Sequence, residues 1–168
     1  MPDAKFLPAN SLFIENLFRH AFLYEISREL LLQDPPRKLT VLNSEVDDSG
    51  VDIVLMLGTV TRHVQMKTLN KRMAPNGYNI ADSVFQIPGG CVIWLRYDQE
   101  SMTPVNYHFF GKQGNGILGN QDDFEVGRRK KGSTWVDRPG YRWVKTSHAT
   151  HKDRSISELC AILFGEEE

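Results

Sequence analysis

Apolar residues recur at helical spacing near the start of the chain and at strand spacing through most of the rest. From about Ala9 to Gln33, Phe13, Leu17, Tyr24 and Leu31 interleave with Ile14, Phe18, Phe22, Ile26 and Leu30, which makes a wide apolar face. The spacing predicts one long helix capped by Asn10 or Ser11. Asp34-Pro35-Pro36 ends it, because proline lacks the N–H that would continue the ladder and biases its predecessor away from helical geometry. Lys38 to Asn43 then reads as a strand, Asp47-Asp48-Ser49-Gly50 as a turn, and Val51–Leu57 and Arg62–Thr68 as two more strands in close order. Asn70 to Ile87 is polar and rich in turn formers and reads as a short helix or loop. Cys91 to Tyr97 is a continuous apolar run between Gly89-Gly90 and Asp98, the pattern of a buried strand. Asn106–Phe110 and Gly140–Val144 carry weaker strand patterns. Ser155-Ile156-Ser157-Glu158 is a capping box that opens an apolar helix through Phe164, stopped by Gly165. Helix, three strands, a variable segment, more strands and a final helix predict a mixed sheet with helices packed on it, an α/β or α+β sandwich.

Composition narrows the class without changing that picture. A chain of 168 residues with 40% hydrophobic and 24% charged side chains is expected to form a single globular domain over residues 1–168. Cys91 and Cys160 stand alone inside apolar runs, so they read as small core residues of a reduced protein and not as a disulfide framework or zinc site. No secretory signal pattern and no apolar run of bilayer length is visible, and the expected address is the cytoplasm, away from membranes. The net charge of -1 exerts no global pull on nucleic acid, so any basic binding surface must come from local clustering.

The candidate chemistry lies on the second and third strands. Gln65 and Lys67 are two apart and share a strand face, while Val64 and Met66 point the other way. Asp52 sits on the neighbouring segment. Charges inside an apolar hairpin cost several kcal/mol unless paired or bound to a metal, which invites a functional reading. The set suits metal-assisted phosphodiester cleavage, in which a cation held by carboxylates stabilises charge on the attacked and leaving oxygens. Asp52 is the principal candidate ligand for magnesium or manganese. Gln65 offers a neutral amide oxygen, and Lys67 an ammonium that can orient the attacking water. Magnesium needs only one or two carboxylates beside waters and phosphate oxygens. The first helix offers Glu25 and Glu15 as a further ligand; Glu25 is preferred because it lies near the helix end that adjoins the sheet. For each, the alternative is a solvated helix face with i,i+4 partners.

An acid on the first helix followed by Asp52-x12-Gln65-x-Lys67 is similar to the restriction-endonuclease-like superfamily, the PD-(D/E)xK nucleases, several branches of which carry glutamine in place of the middle acid. The strings from Glu45 to Asp52 and from Arg62 to Lys67, with Arg138-Pro139-Gly140-Tyr141-Arg142-Trp143 and Glu158-Leu159 to Leu163-Phe164-Gly165, also resemble a small bacterial family associated with this fold. The resemblance implies an αβββαβ core whose central mixed sheet is flanked by helices. It also implies an active centre of Asp52, Gln65 and Lys67 beside a helix glutamate. Val51 stands where the superfamily's name has proline. The function implied is a divalent-metal-dependent nuclease acting on DNA, most naturally duplex DNA, and a homodimer would supply the two sites that cutting both strands needs. The competing reading is a catalytically inactive module of the same fold that binds nucleic acid or a partner protein.

Arg128-Arg129-Lys130-Lys131 is the one basic run, with Trp135, Tyr141 and Trp143 following as stacking faces, and it is a candidate phosphate-binding patch; a solvated loop is the alternative. Lys71 and Arg72, just past Lys67, are candidate backbone contacts. His63 shares the face of Gln65 and Lys67, and reads either as a proton-transfer aid or as a structural histidine. Gly114 to Gly119 spells GxGxxG without the following helix that would make it a dinucleotide site.

Overall fold

An apolar residue at every fourth position builds α1 (Ser11–Leu31), whose Ile14, Phe18, Phe22, Ile26 and Leu30 are all buried. The computed structural model describes residues 10–33, 35–43, 50–72 and 76–165. The buried stripe is narrower than the sequence pattern predicts, because Phe13, Tyr24 and Leu31 are exposed. A helix resting on a sheet meets it along one line, so only one residue per turn is covered.

Nine strands follow among the described residues: β1 (Thr40–Asn43), β2 (Ile53–Leu57), β3 (Val60–Asn70), β4 (Gly77–Ala81), β5 (Gly90–Asp98), β6 (Thr103–Phe110), β7 (Glu125–Lys131), β8 (Thr134–Lys145) and β9 (His151–Arg154). A short helix, α2 (Asp82–Gln86), precedes β5, and α3 (Ile156–Phe164) follows β9. Six strands form one mixed sheet in the order β1-β2-β3-β5-β6-β9, antiparallel throughout except for the parallel pair β3 and β5. The class is α+β with a mixed central sheet, as the order of elements predicts.

The sequence pattern does not anticipate a second sheet, β4-β8-β7, entirely antiparallel. Part of it comes from the segment read as helix or loop, which holds β4 as well as α2; residues 73–75 lie outside the described residues, as does the turn at 47–49. The two faces of β5 explain the layering. Cys91, Ile93, Leu95 and Tyr97 pack with the buried stripes of α1 and α3, whereas Val92 and Trp94 pack with Ile80, Val84, Phe85 and Val144 of β4, α2 and β8. A strand apolar on both faces is thus clamped between helices and the small sheet.

Two side chains close this arrangement. Arg62 on β3 is completely buried, and its guanidinium donates to the carbonyls of Leu163 (2.7 Å), Ile162 (3.1 Å) and Lys112 (2.7 Å). It thereby satisfies carbonyls in the last turn of α3 that no helical N–H can reach. In the GxGxxG string no helix follows; Asn115 instead accepts from Thr61 N–H and donates to the Thr59 carbonyl, tying this loop to the β2–β3 turn. Cys91 and Cys160 are buried, and burial pushes both thiols up to about 12, which keeps them protonated and inert. No helix among the described residues is long and apolar enough to cross a membrane.

The predicted capping box is present at α3: Ser155 Oγ accepts from Glu158 N–H, and the Glu158 carboxylate accepts from Ser155 N–H at 2.9 Å. These hydrogen bonds and Arg154 hold the Glu158 carboxyl at about 2, below its ordinary 4.5. A carboxyl depressed on folding stabilises fully above its unfolded value and ceases to as pH falls through the folded one. The first turn of α3 is therefore expected to keep its amide-exchange protection at pH 5 and to lose it between about 4.5 and 2. In Glu158→Gln that pH dependence disappears.

Candidate active-site cleft

Asp52 precedes β2 by one residue and extends the ladder past the strand end. Its N–H donates to the Val64 carbonyl at 2.9 Å, and its Oδ2 accepts the Met66 N–H at 2.6 Å. The carboxylate is therefore fixed against β3 beside Gln65 and Lys67, where a flexible loop acid would wander. All three line one cleft of about 460 Å³. Its other walls come from Glu15, Asn16 and Arg19 on α1 and from Arg138 and Tyr141 on β8. The structure thus brings Asp52, Gln65 and Lys67 together, as their spacing predicts.

The helix acid is corrected. Glu15 lines the cleft, whereas Glu25 lies ten residues on, which is roughly 15 Å along a helix axis. Glu25 accepts a hydrogen bond from Tyr107 Oη on β6 at 2.5 Å. Helix α1 crosses the sheet from β3 toward β6, so its amino-terminal half, not its carboxy-terminal half, overhangs Asp52. Leu12, Glu15, Asn16 and Arg19 fall at i, i+3, i+4 and i+7, a single helix stripe facing the cleft. That polar stripe beside the apolar one was the sequence signal for Glu15 and Arg19. Burial and the bond to Glu25 together raise Tyr107 above its ordinary value, so this pair reads as a packed structural contact.

Gln65 departs from its expected role in part. It is 3% exposed, and its Oε1 accepts the Ala81 N–H at 3.1 Å, which ties the large sheet to the edge of the small one. The amide oxygen is thus already engaged, and its Nε2 faces Gly50: a Cβ added there would lie 3.4 Å from it. A carboxylate at this depth would add an expensive buried charge, whereas the amide satisfies a buried N–H without one. Gly50 itself has φ +65°, and a Cβ would come within 2.2 Å of the Ala81 Cβ. Gly50→Ala should cost about 2–4 kcal/mol, from left-handed backbone strain and overpacking, in a denaturant titration. A loss below about 1 kcal/mol would contradict this placement.

Arg19, Lys67 and Arg138 give the cleft three cations against the carboxylates of Glu15 and Asp52. Arg138 stacks on Tyr141 with its Cζ 3.6 Å from the ring centroid, which holds the guanidinium in place. The other sequence candidates fall elsewhere. Lys71 pairs with Asp98 at the end of β5 and Arg72 with Glu100 of the β5–β6 turn, and neither lines the cleft. His63 shares a hydrogen bond between Nδ1 and the Pro88 carbonyl at 2.9 Å, outside the cleft, the structural reading of that residue. Arg128, Arg129, Lys130 and Lys131 are exposed on β7, a strand and not the solvated loop that was the alternative for this run. Trp135 is exposed, while Tyr141 and Trp143 are half-buried.

No protein-family model matches this chain, and no curated protein matches it either. Among the described residues no group of three or more histidine, cysteine, aspartate or glutamate side chains is placed to cage a metal. Two carboxylates, Asp52 and Glu15, share the cleft, which fits a magnesium ion completed by waters and phosphate oxygens and does not fit a closed structural site.

Proposed function

We propose that the protein is a divalent-metal-dependent nuclease that hydrolyses phosphodiester bonds of DNA, built on a restriction-endonuclease-like core. The observation that carries this reading is the convergence of Asp52, Glu15 and Lys67 in one cleft with Arg19 and Arg138. The parallel pairing of β3 with β5, after the antiparallel strands β1 to β3 and helix α1, supports the same core.

Asp52 and Glu15 would hold magnesium or manganese, which supplies charge stabilisation at the attacked phosphate and a more acidic bound water. The rest of the work falls to the chain. Arg19 and Arg138 receive non-bridging phosphate oxygens and orient the scissile group across the cleft mouth. Lys67, next to the fixed Asp52 carboxylate, donates a hydrogen bond to the attacking water and meets the charge that develops on the phosphate. Met66 N–H holds the Asp52 carboxylate in one orientation. Gln65 positions the wall that carries Tyr141, through Ala81.

The test is incubation of purified protein with supercoiled, linear and single-stranded DNA in magnesium, manganese or EDTA. Cutting that requires the metal supports the reading. No cutting in either metal, with DNA still bound, would replace it by the inactive nucleic-acid-binding module.

A further inference from the structure

The basic run lies on a β-ribbon whose two faces are chemically different. Strands β7 and β8 turn at Gly132-Ser133, and every residue from Arg128 to Trp135 is exposed. Directly opposed residues share a face. Arg129 opposes Val136, Lys131 opposes Thr134 and Gly127 opposes Arg138, so Arg129, Lys131 and Arg138 lie on one face, which carries no acid between Gly127 and the turn. The other face pairs Arg128 with Asp137 and Lys130 with Trp135, and Arg128 also meets Glu125 at 4.0 Å. Its positive charge is partly offset.

The acid-free face runs into the cleft, because Arg138 is a cleft residue. At the ribbon's base β8 has three extra residues, Pro139, Gly140 and Tyr141, between the partners of Val126 and Gly127. Tyr141 pairs with Ala81 on β4, while Arg138 turns back over the cleft. Asn79 of β4 holds this corner: its Nδ2 donates to the Arg128 carbonyl at 2.7 Å and its Oδ1 accepts the Arg128 N–H at 2.8 Å. Gly127 permits the approach, since a Cβ there would lie 2.6 Å from Asn79 Oδ1. The ribbon is thus anchored at one end and open to solvent at the other.

We infer that the β7–β8 ribbon is the duplex-DNA arm of the cleft, entering the major groove and meeting backbone phosphates through the Arg129, Lys131 and Arg138 face. A two-stranded ribbon fits the B-DNA major groove, whereas the deep, narrow major groove of A-form RNA excludes it. Residues two apart on a strand are about 6.6 Å apart. From Gly127, opposite Arg138, to Lys131 the face spans roughly 13 Å, close to four steps at about 3.4 Å of axial rise per strand, so its three cations can each meet a different phosphate. The choice of DNA as partner rests on the nuclease reading; the division between the faces does not.

The test compares two double variants, Arg129→Ser with Lys131→Ser and Arg128→Ser with Lys130→Ser, all four positions being exposed. Binding to a fluorescent DNA duplex is followed by anisotropy across a salt series in EDTA, with thermal melts to confirm folding. Loss of two phosphate contacts lowers the slope of log K against log salt by about 2. We expect that change in the first variant and less than half of it in the second. Equal effects in both would overturn the inference, as would equal binding of an A-form RNA duplex. Magnesium-dependent cutting is measured in parallel. Cutting with no face-dependent change in slope defeats the ribbon and leaves the nuclease, whereas a face-dependent slope without cutting defeats the nuclease and leaves the ribbon.

Discussion

Asp52→Asn is expected to lower magnesium-dependent cleavage by a factor on the order of 10³ or more, while duplex binding stays within a few fold. The asparagine oxygen can still accept the Met66 N–H that Asp52 takes at 2.6 Å, so the strand junction survives and only the charge is lost. A carboxylate that holds the catalytic cation contributes several kcal/mol at the transition state, and each 1.36 kcal/mol is a factor of ten. Lys67→Ala should produce a loss of similar size. The helix acids discriminate the geometry. Glu15→Gln should cost about 10- to 100-fold through weaker metal binding, read as a raised magnesium requirement. Glu25→Gln should leave cleavage unchanged, because Glu25 is bonded to Tyr107 outside the cleft. Single-turnover rates at saturating protein separate these effects from binding. Cleavage by Asp52→Asn within tenfold of the wild type would remove Asp52 from the chemistry.

Arg62→Met should destabilise the fold by about 3–5 kcal/mol, the range for leaving buried polar partners uncompensated. The side chain is completely buried and donates to three carbonyls, two of them at the end of α3. Methionine matches much of the volume but offers no donor, so those carbonyls remain desolvated and unpaired. Arg62→Lys should be little better, because one ammonium cannot reproduce the planar fork that reaches Leu163, Ile162 and Lys112 together. In a chain of 168 residues this corresponds to a fall in Tm on the order of 10 °C. Calorimetry reads it directly, and a loss under about 1 kcal/mol would show that water or neighbouring groups take over the carbonyls.

Much of the fold was legible because its elements depend on local pattern. The fourfold spacing in α1, the two-face apolar run of β5 and the capping box of α3 each announce themselves within a few residues. The small sheet was not legible. Residues Glu125–Lys131 have little apolar alternation, since both ribbon faces meet water, and β4 is five residues long beside a helix of five. For the site, strand period alone placed Gln65 and Lys67 on one face. Choosing between Glu15 and Glu25 required the crossing direction of α1 over the sheet, which no local pattern encodes. The engagement of Gln65 with Ala81 was equally hidden, because it joins two sheets through a side chain and a backbone N–H.

The bonds of Arg62 also set a timetable. Its guanidinium waits for carbonyl partners about 100 residues further along the chain, and at roughly 5–20 residues per second a ribosome needs on the order of 5–20 s to deliver them. Throughout that interval the emerging β-hairpin carries a guanidinium without the α3 carbonyls it donates to in the folded protein, so β3 cannot bury its helix-facing side for good. Completion of the central sheet is thereby coupled to the arrival of the last helix, and a nascent chain halted short of Leu163 is left as a natural client for chaperones.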